Sequence, residues 1–340
     1  MIEEKLKIYY NVSNIGVLWL IVQIFGGITL RKQKTINRFS RQKNIVWTAM
    51  IALPMLFLII FRYIPMVGII IAFKRYNFAD GIFNSPWVGI GNFTDFLRSR
   101  ELVFLFRNTI GYNIIMIVAS MFAAVFVALF LYELRSRAAT KVYQTIMITP
   151  NFLSIIIVGY ITYSFLNPQS GVINVALRAV GFDGIDWYNN LWVWPFIIPF
   201  VSVWKGVGMS SVMYYAALMG IDASINEAAE IDGANKWQRY VHVLIPSILP
   251  TIVILLVLNL GGILEGDFGL FYYIPRNVGK LRPVTEIFST YTMRLFKGAG
   301  LGVDYSLSAA VSFFQSVVGM ILTLAANKAS KLIDEELGLF

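Results

Sequence analysis

Few residues in this 340-residue chain have the chemistry to act on anything. Cysteine is absent and His242 is the only histidine, so a thiol nucleophile, a Cys-based zinc site or a His-based triad has no material. No G-x-x-x-x-G-K-[ST] phosphate loop occurs, so ATP hydrolysis is not assigned to this chain. What remains are polar groups set into long apolar runs. Lys205 follows Trp204 inside VSVWKGVGMSS, where an ammonium costs several kcal/mol unless it faces protein or water. It could line a polar pathway, or bond to carbonyls freed by Gly206 and Gly208, or to a partner chain. Asn259 lies within another apolar run, and Glu265 and Asp267 follow that run's end. These carboxylates could accept hydrogen bonds from a ligand or stay solvated. Trp192, Trp194, Tyr214 and Tyr215 could stack on a ligand ring, although membrane interfaces favour Trp and Tyr in any case.

The elements that hold these residues are written for lipid. Hydrophobic residues make up 57% of the chain and charged residues 14%, against about 25% charged in a soluble domain. The apolar residues gather in blocks near 13–30, 45–73, 103–132, 143–166, 191–217, 247–264 and 306–327. About 20 apolar residues span the hydrocarbon core, so the expectation is an all-α, multi-pass membrane protein with lipid as its first partner. The net charge of +9 sits largely in short loops beside these blocks, not on a surface interleaved with base-stacking aromatics, which argues against nucleic acid.

Charge also predicts orientation. Arg31, Lys32, Lys34, Arg38, Arg41 and Lys43 stand between the first two blocks with no acid among them, and 133–142 carries Arg135, Arg137 and Lys141 against the single acid Glu133. Positive loops stay in the cytoplasm. Alternation then puts 74–102, 167–190 and 265–305 outside, and 218–246 and the C-terminus inside. The 13–30 block is diluted by glycines and polar residues, and reads either as an extra span or as an interfacial helix. Arg31 and Lys32 follow it directly without a small-residue cleavage site, which argues against a cleaved leader. Pro54, Pro65, Pro195 and Pro199 punctuate the blocks; broken helices survive in membranes where protein or water satisfies the freed backbone.

One internal loop is longer than a connection needs: GIDASINEAAEIDGANKWQRYVHVLIPSILP, residues 220–250. Asp222 or Ser224 can cap a helix, with Glu227 in capping-box register to Ser224. Gly233 then breaks the run, where a helix can close on a left-handed residue. Trp237, Tyr240, Val241 and Leu244 begin a second amphipathic piece ending at Pro246, and His242 reads as a surface residue of that piece. Small alanines admit another backbone, and Glu227 and Glu230 offer charge to a basic partner. The bland alternative is an interfacial helix with no partner. The loop resembles the EAA loop of ABC-importer permeases, E-A-A, three residues, G, nine residues, I-x-L-P. Glu227, Ala228, Ala229 and Gly233 match, and Val243, Ile245 and Pro246 stand in the final motif, with Val and Ile for its Ile and Leu. FRYIPMVGIIIAFKRYN at 61–77, RNT at 107–109, the run through 204–222 and NKASKLIDEELGLF at the tail resemble the polysaccharide and oligosaccharide branch.

The resemblance implies a type I ABC importer transmembrane domain over 45–340, with six core helices and a coupling loop at about 218–246; 1–44 falls outside it, as an N-terminal extension with a basic cytoplasmic segment and, at 13–30, either an extra span or an interfacial helix. It implies a second permease subunit, two cytoplasmic ATPase subunits that bind ATP and Mg, an extracytoplasmic solute-binding protein, and a bacterial plasma-membrane location. This chain would be a non-catalytic subunit with no cofactor of its own. Glu227 would pair with a basic group on the ATPase, Ala228 and Ala229 would fit its groove, and Gly233 would permit the turn. Lys205, Trp204, Asn259, Glu265 and Asp267 become candidates for a sugar pathway. Two other classes compete. An ion-coupled carrier would be expected to bury acids in its spans and show paired repeats. An integral membrane glycosyltransferase would gather acids or metal ligands at one membrane face, whereas the acids here are scattered among loops.

Overall fold

A computed structural model describes residues 38–134, 136–298 and 303–333. The 13–30 block and the last residues of the C-terminal tail lie outside the described residues. The chain divides after Gly68 into two compact units.

The first unit contains helix α1, Arg38–Leu58, with Pro54 inside it. A π-turn over Ile59–Tyr63 follows, and then a 3-10 stretch, Ile64–Phe73, that carries the chain into the second unit. Val46–Phe73 as a whole is long and apolar enough to cross a bilayer.

The second unit is built on α2 (Glu101–Tyr132), α5 (Trp194–Met219) and α11 (Tyr305–Ile333), each containing or forming most of a membrane-length apolar segment. Two further apolar blocks form bent pairs. Helix α3 (Arg137–Ile148) and the 3-10 turn Thr149–Phe152 meet α4 (Ile155–Leu166) at 97°. The segment Lys236–Ser247 meets α8 (Leu249–Gly261) at 61°. With each pair taken as one span, six spans are present among the described residues.

Both bends have local causes. Pro150 sits at the start of the Thr149–Phe152 turn, and Leu153 and Ser154 are extended, so the helical ladder stops there. At the second bend Pro250 opens α8 and has no N–H to return to the preceding turn. The 143–166 block, expected as one apolar segment, is sharply bent. Lys205 on α5 explains how the first break is tolerated: its Nζ donates to the Asn151 carbonyl at 3.0 Å. Beside it, Gly208 is packed so closely that a Cβ would lie 1.9 Å from the Met147 carbonyl oxygen.

Elsewhere α2 and α5 pack through small residues, with Ala124 and Ala128 buried in one cluster with Tyr214 and Leu218. The Arg107-Asn108-Thr109 run clasps a single backbone stretch. Arg107 and Asn108 both donate to the Pro283 carbonyl, Asn108 also donates to that of Glu286 at 3.0 Å, and the Phe288 N–H donates to Thr109 Oγ1 at 3.3 Å. Close by, buried Glu286 accepts two bonds from the Arg294 guanidinium. Asn174 knots the 167–190 loop, donating to Ile185 and Pro168 carbonyls and accepting from the Ile185 N–H and Trp187 Nε1.

Candidate coupling surface and polar cavity

Helix α6 spans Ala223–Ile231 and is closed at both ends by its own sequence. At its start, Asp222 accepts from the Ser224 N–H at 3.0 Å, and that bond holds the Asp222 carboxyl below the usual carboxylate range. The cap is thus Asp222 rather than Ser224, and Glu227 makes no capping-box bond. At its end, Gly233 has φ +80°, its N–H donates to the Glu230 carbonyl at 3.1 Å, and Ala234 N–H donates to that of Ala229 at 3.0 Å. This pair of bonds is a Schellman closure, which favours glycine at the left-handed position. The true capping box lies one step on, where Asn235 and Gln238 exchange side-chain-to-backbone bonds of 2.9 and 2.8 Å to start α7, Lys236–Arg239.

Arg239 binds these pieces together. Its guanidinium is buried, donating through Nη1 to Glu230 on α6 and through Nη2 to Glu133 at 3.1 Å, just beyond the end of α2. Lys236 Nζ lies 3.0 Å from the other Glu133 oxygen. Glu230, expected to serve a partner, is therefore engaged within the chain. Glu227 is exposed and makes no hydrogen bond or ion pair among the described residues. Ala228 beside it is exposed and Ala229 half-buried. Ile231 and Trp237 remain 86% and 71% exposed, large apolar groups left uncovered by the described residues. Val243 and Ile245 are half-buried, and Pro246 is exposed just before the 61° bend. His242 is exposed, as expected, and its Nδ1 lies 3.1 Å from the Gln238 carbonyl oxygen.

A cavity of about 340 Å³ opens between α2, α5 and α8. Asn113, Ser120, Ser202, Ser210 and Tyr214 contribute polar atoms to it, together with Asn259 and Asp267. None of the three serine hydroxyls has a hydrogen-bond partner among the described residues. Asn113 donates to the Thr109 and Ile263 carbonyls, and Asn259 to that of Leu255. Asp267 caps the short helix α9, Phe268–Tyr273, accepting from the Leu270 N–H at 3.0 Å. The structure thus brings Asn259 and Asp267 to one cavity but not Lys205, Trp204 or Glu265. Lys205 serves the α3–α4 break, Trp204 is exposed, and Glu265 is exposed near the end of α8. Nothing in the sequence marks out the serines or Asn113, because each is one polar residue in an apolar block. Glu133 had a signal, as the lone acid in a basic loop.

This arrangement, a strandless bundle with two bent spans and a capped helix presented between the fifth and sixth apolar blocks, is that of a membrane permease subunit. Residues 106–335 match the binding-protein-dependent transport system inner membrane component family, and the chain belongs to it. It is similar to Protein LplB of Bacillus subtilis, 35% identical over 90% of this chain and 95% of that protein. It is similar also to the polygalacturonan/rhamnogalacturonan transport system permease protein YteP of the same organism, at 31% identity over 90% of this chain and 93% of that one. Among solved structures it resembles a bacterial ABC transporter involved in the import of the acidic polysaccharide alginate. That match has a TM-score of 0.76 and 30% identity, covering 86% of this chain and 97% of that one. A bacterial alginate ABC transporter in complex with alginate pentasaccharide-bound periplasmic protein matches with a TM-score of 0.76 and 29% identity, over 86% of this chain and 96% of that one. The chain is a non-catalytic, multi-pass ABC permease subunit of a bacterial membrane. Family membership decides for this class against the ion-coupled carrier and the membrane glycosyltransferase.

Proposed function

We propose that this chain forms half of the pathway of an ATP-driven importer for oligosaccharides or polysaccharide fragments. It works with a second permease, two ATPase subunits that carry ATP and Mg, and an extracytoplasmic binding protein. The observation that carries the reading is α6: a short helix capped at both ends, tied to the end of α2 through Arg239, with Glu227, Ala228 and Ile231 left unengaged. A helix fixed to its own spans on one side and bare on the other can pass a partner's movement to the bundle. The ATPase would dock on that bare face, with Glu227 meeting a basic group and Ala229 admitting close backbone approach. ATP biases the machine only through its different affinity for the two states, so the closing of the ATPase pair must be linked rigidly to the rocking of the spans. The basic loops support a cytoplasmic α6 and an outward-facing 265–305 segment.

Within the bundle, Asn113, Ser120, Ser202, Ser210, Asn259 and Asp267 supply donors and acceptors for hydroxyl groups in otherwise apolar walls. The alginate transporter and the polygalacturonan/rhamnogalacturonan permease support a saccharide cargo. The test is transport by proteoliposomes holding this chain, its partner permease and the ATPase, supplied with binding protein and radiolabelled oligosaccharide. Accumulation that requires ATP and the binding protein is expected. Accumulation driven by an ion gradient without ATP would contradict the proposal.

A further inference from the structure

Arg276 and Asn277 are the only non-glycine residues with positive φ among the described residues, at 56° and 50°. They follow α9 at a turn closed by the Asn277 N–H donating to the Tyr272 carbonyl at 3.2 Å. Side chains other than glycine pay for this backbone in steric strain, and such strain collects where a side chain is held for a purpose. The Arg276 side chain is aimed by it between two concavities of about 310 and 440 Å³, both of which it lines, and both within the usual range of small-molecule sites.

The surroundings are aromatic and fixed. The Arg276 guanidinium carbon lies 3.9 Å from the centroid of the Tyr163 ring. Tyr160, Tyr272 and Tyr273 line one concavity with Arg276, and Tyr163 and Tyr188 the other. Tyr188 is buried, and its hydroxyl donates to the Ile274 carbonyl at 3.3 Å, two residues before Arg276. Lys297 adds a second cation, 5.1 Å from the Tyr272 ring centroid. One carboxylate, Asp186, stands on the rim, accepting from Asn189, and it is not ion-paired with Arg276. The guanidinium is exposed and makes no hydrogen bond or salt bridge among the described residues, so its N–H groups are uncommitted. An interfacial belt accounts for tyrosines at a membrane edge. It does not account for a strained arginine set over one of them or for a buried tyrosine tied to the same turn.

We infer that Arg276 and the tyrosines around it form a subsite for the carboxylate of an acidic saccharide, at the mouth of the pathway opposite the coupling helix. An arginine fork takes a carboxylate in two parallel bonds, and tyrosine faces take the apolar side of a pyranose ring. Tyr188 packs against Trp194, the first residue of α5, and α6 follows the other end of that helix, whose 26 residues are roughly 39 Å long. This inference rests on the importer reading for its direction of entry. The same carboxylate chemistry could come from an acidic side chain of the binding protein, so the titration is run without that protein and then repeated with it.

The full chain, in nanodiscs of phosphatidylcholine without binding protein, would be titrated with trigalacturonate and with neutral galactotriose. Trigalacturonate is expected to bind at least tenfold more tightly. Arg276→Gly, which relaxes the left-handed backbone while removing the guanidinium, should weaken trigalacturonate binding at least tenfold and leave galactotriose binding as it was. Arg276→Lys should fall between, because it keeps the charge and loses the fork. Equal affinity for the two sugars, or unchanged trigalacturonate binding by Arg276→Gly, would overturn the inference. Trigalacturonate selectivity seen only when binding protein is added would also overturn it, in favour of a protein–protein contact. A native chain that retains no ATPase sinks the importer reading separately, and the titration still judges Arg276 alone.

Discussion

Arg239 Nη2 lies 3.1 Å from Glu133 Oε1, a bond between residues 106 positions apart that ties the α6–α7 segment to the end of α2. Since the same guanidinium also holds Glu230, one side chain joins α6 to a membrane-spanning helix. Removing it should loosen transmission. Breaking a fully buried pair costs about 3–5 kcal/mol. Glu133 and Glu230 are 20% and 58% exposed, so Arg239→Ala should cost nearer about 2 kcal/mol. The variant should still capture ATPase but transport less per ATP hydrolysed. A double-mutant cycle with Glu133→Gln checks the link, because coupled residues give non-additive losses.

Gly208 and Gly206 should respond oppositely to the same change. A Cβ at Gly208 would overlap the Met147 carbonyl, whereas one at Gly206 meets nothing within 4 Å. Gly208→Ala should therefore destabilise the protein by about 1–3 kcal/mol. Gly206→Ala should be neutral or stabilise it by up to about 1 kcal/mol through helix propensity. Thermal unfolding in detergent, run side by side, compares them directly.

Lys205 bonds to the carbonyl freed at the α3–α4 break and is absent from the polar cavity. Lys205→Met should lower stability by about 1–2 kcal/mol, the loss of a charge-assisted bond. It should leave the substrate concentration for half-maximal transport unchanged. A large rise in that concentration with intact stability would return Lys205 to the pathway.

Asp222 gives α6 an acid sensitivity. Its carboxyl is held below the ordinary range by the Ser224 N–H, so the folded state favours the ionised form. That contribution is present above the unfolded pKa and is lost as pH falls through the folded one. Hydrogen exchange of the α6 amides should accelerate, relative to the intrinsic rate, as the carboxylate protonates. Asp222→Asn, which caps without titrating, should lack this step.

The spans and the coupling helix could be foreseen because both are written locally. Apolar runs of bilayer length become membrane-crossing segments, and Gly233 ends α6 in the left-handed turn its position suggested. Tertiary partners could not be foreseen. Nothing near Arg239 names Glu133, and nothing near Arg107-Asn108-Thr109 names the Pro283–Phe288 backbone they hold. The 97° bend had a signal in Pro150, yet a proline in an apolar block is equally compatible with a mild kink. The cavity drew isolated polar residues from three helices, and only packing reveals that Ser120, Ser202 and Asn259 share a space. Arg276 carries no mark at all in sequence, because its strain and its tyrosines are assembled from separate segments.

The most direct test of the coupling account is co-purification of the ATPase with the native chain, Glu227→Lys and Gly233→Pro. Glu227 is exposed and has no partner among the described residues, so its reversal should repel a basic contact while leaving the chain folded. Gly233 holds φ +80° and its N–H bonds to Glu230, so proline should open the end of α6. The account predicts that ATPase travels with the native chain and is released by both substitutions. A stable complex that neither substitution disturbs would contradict it.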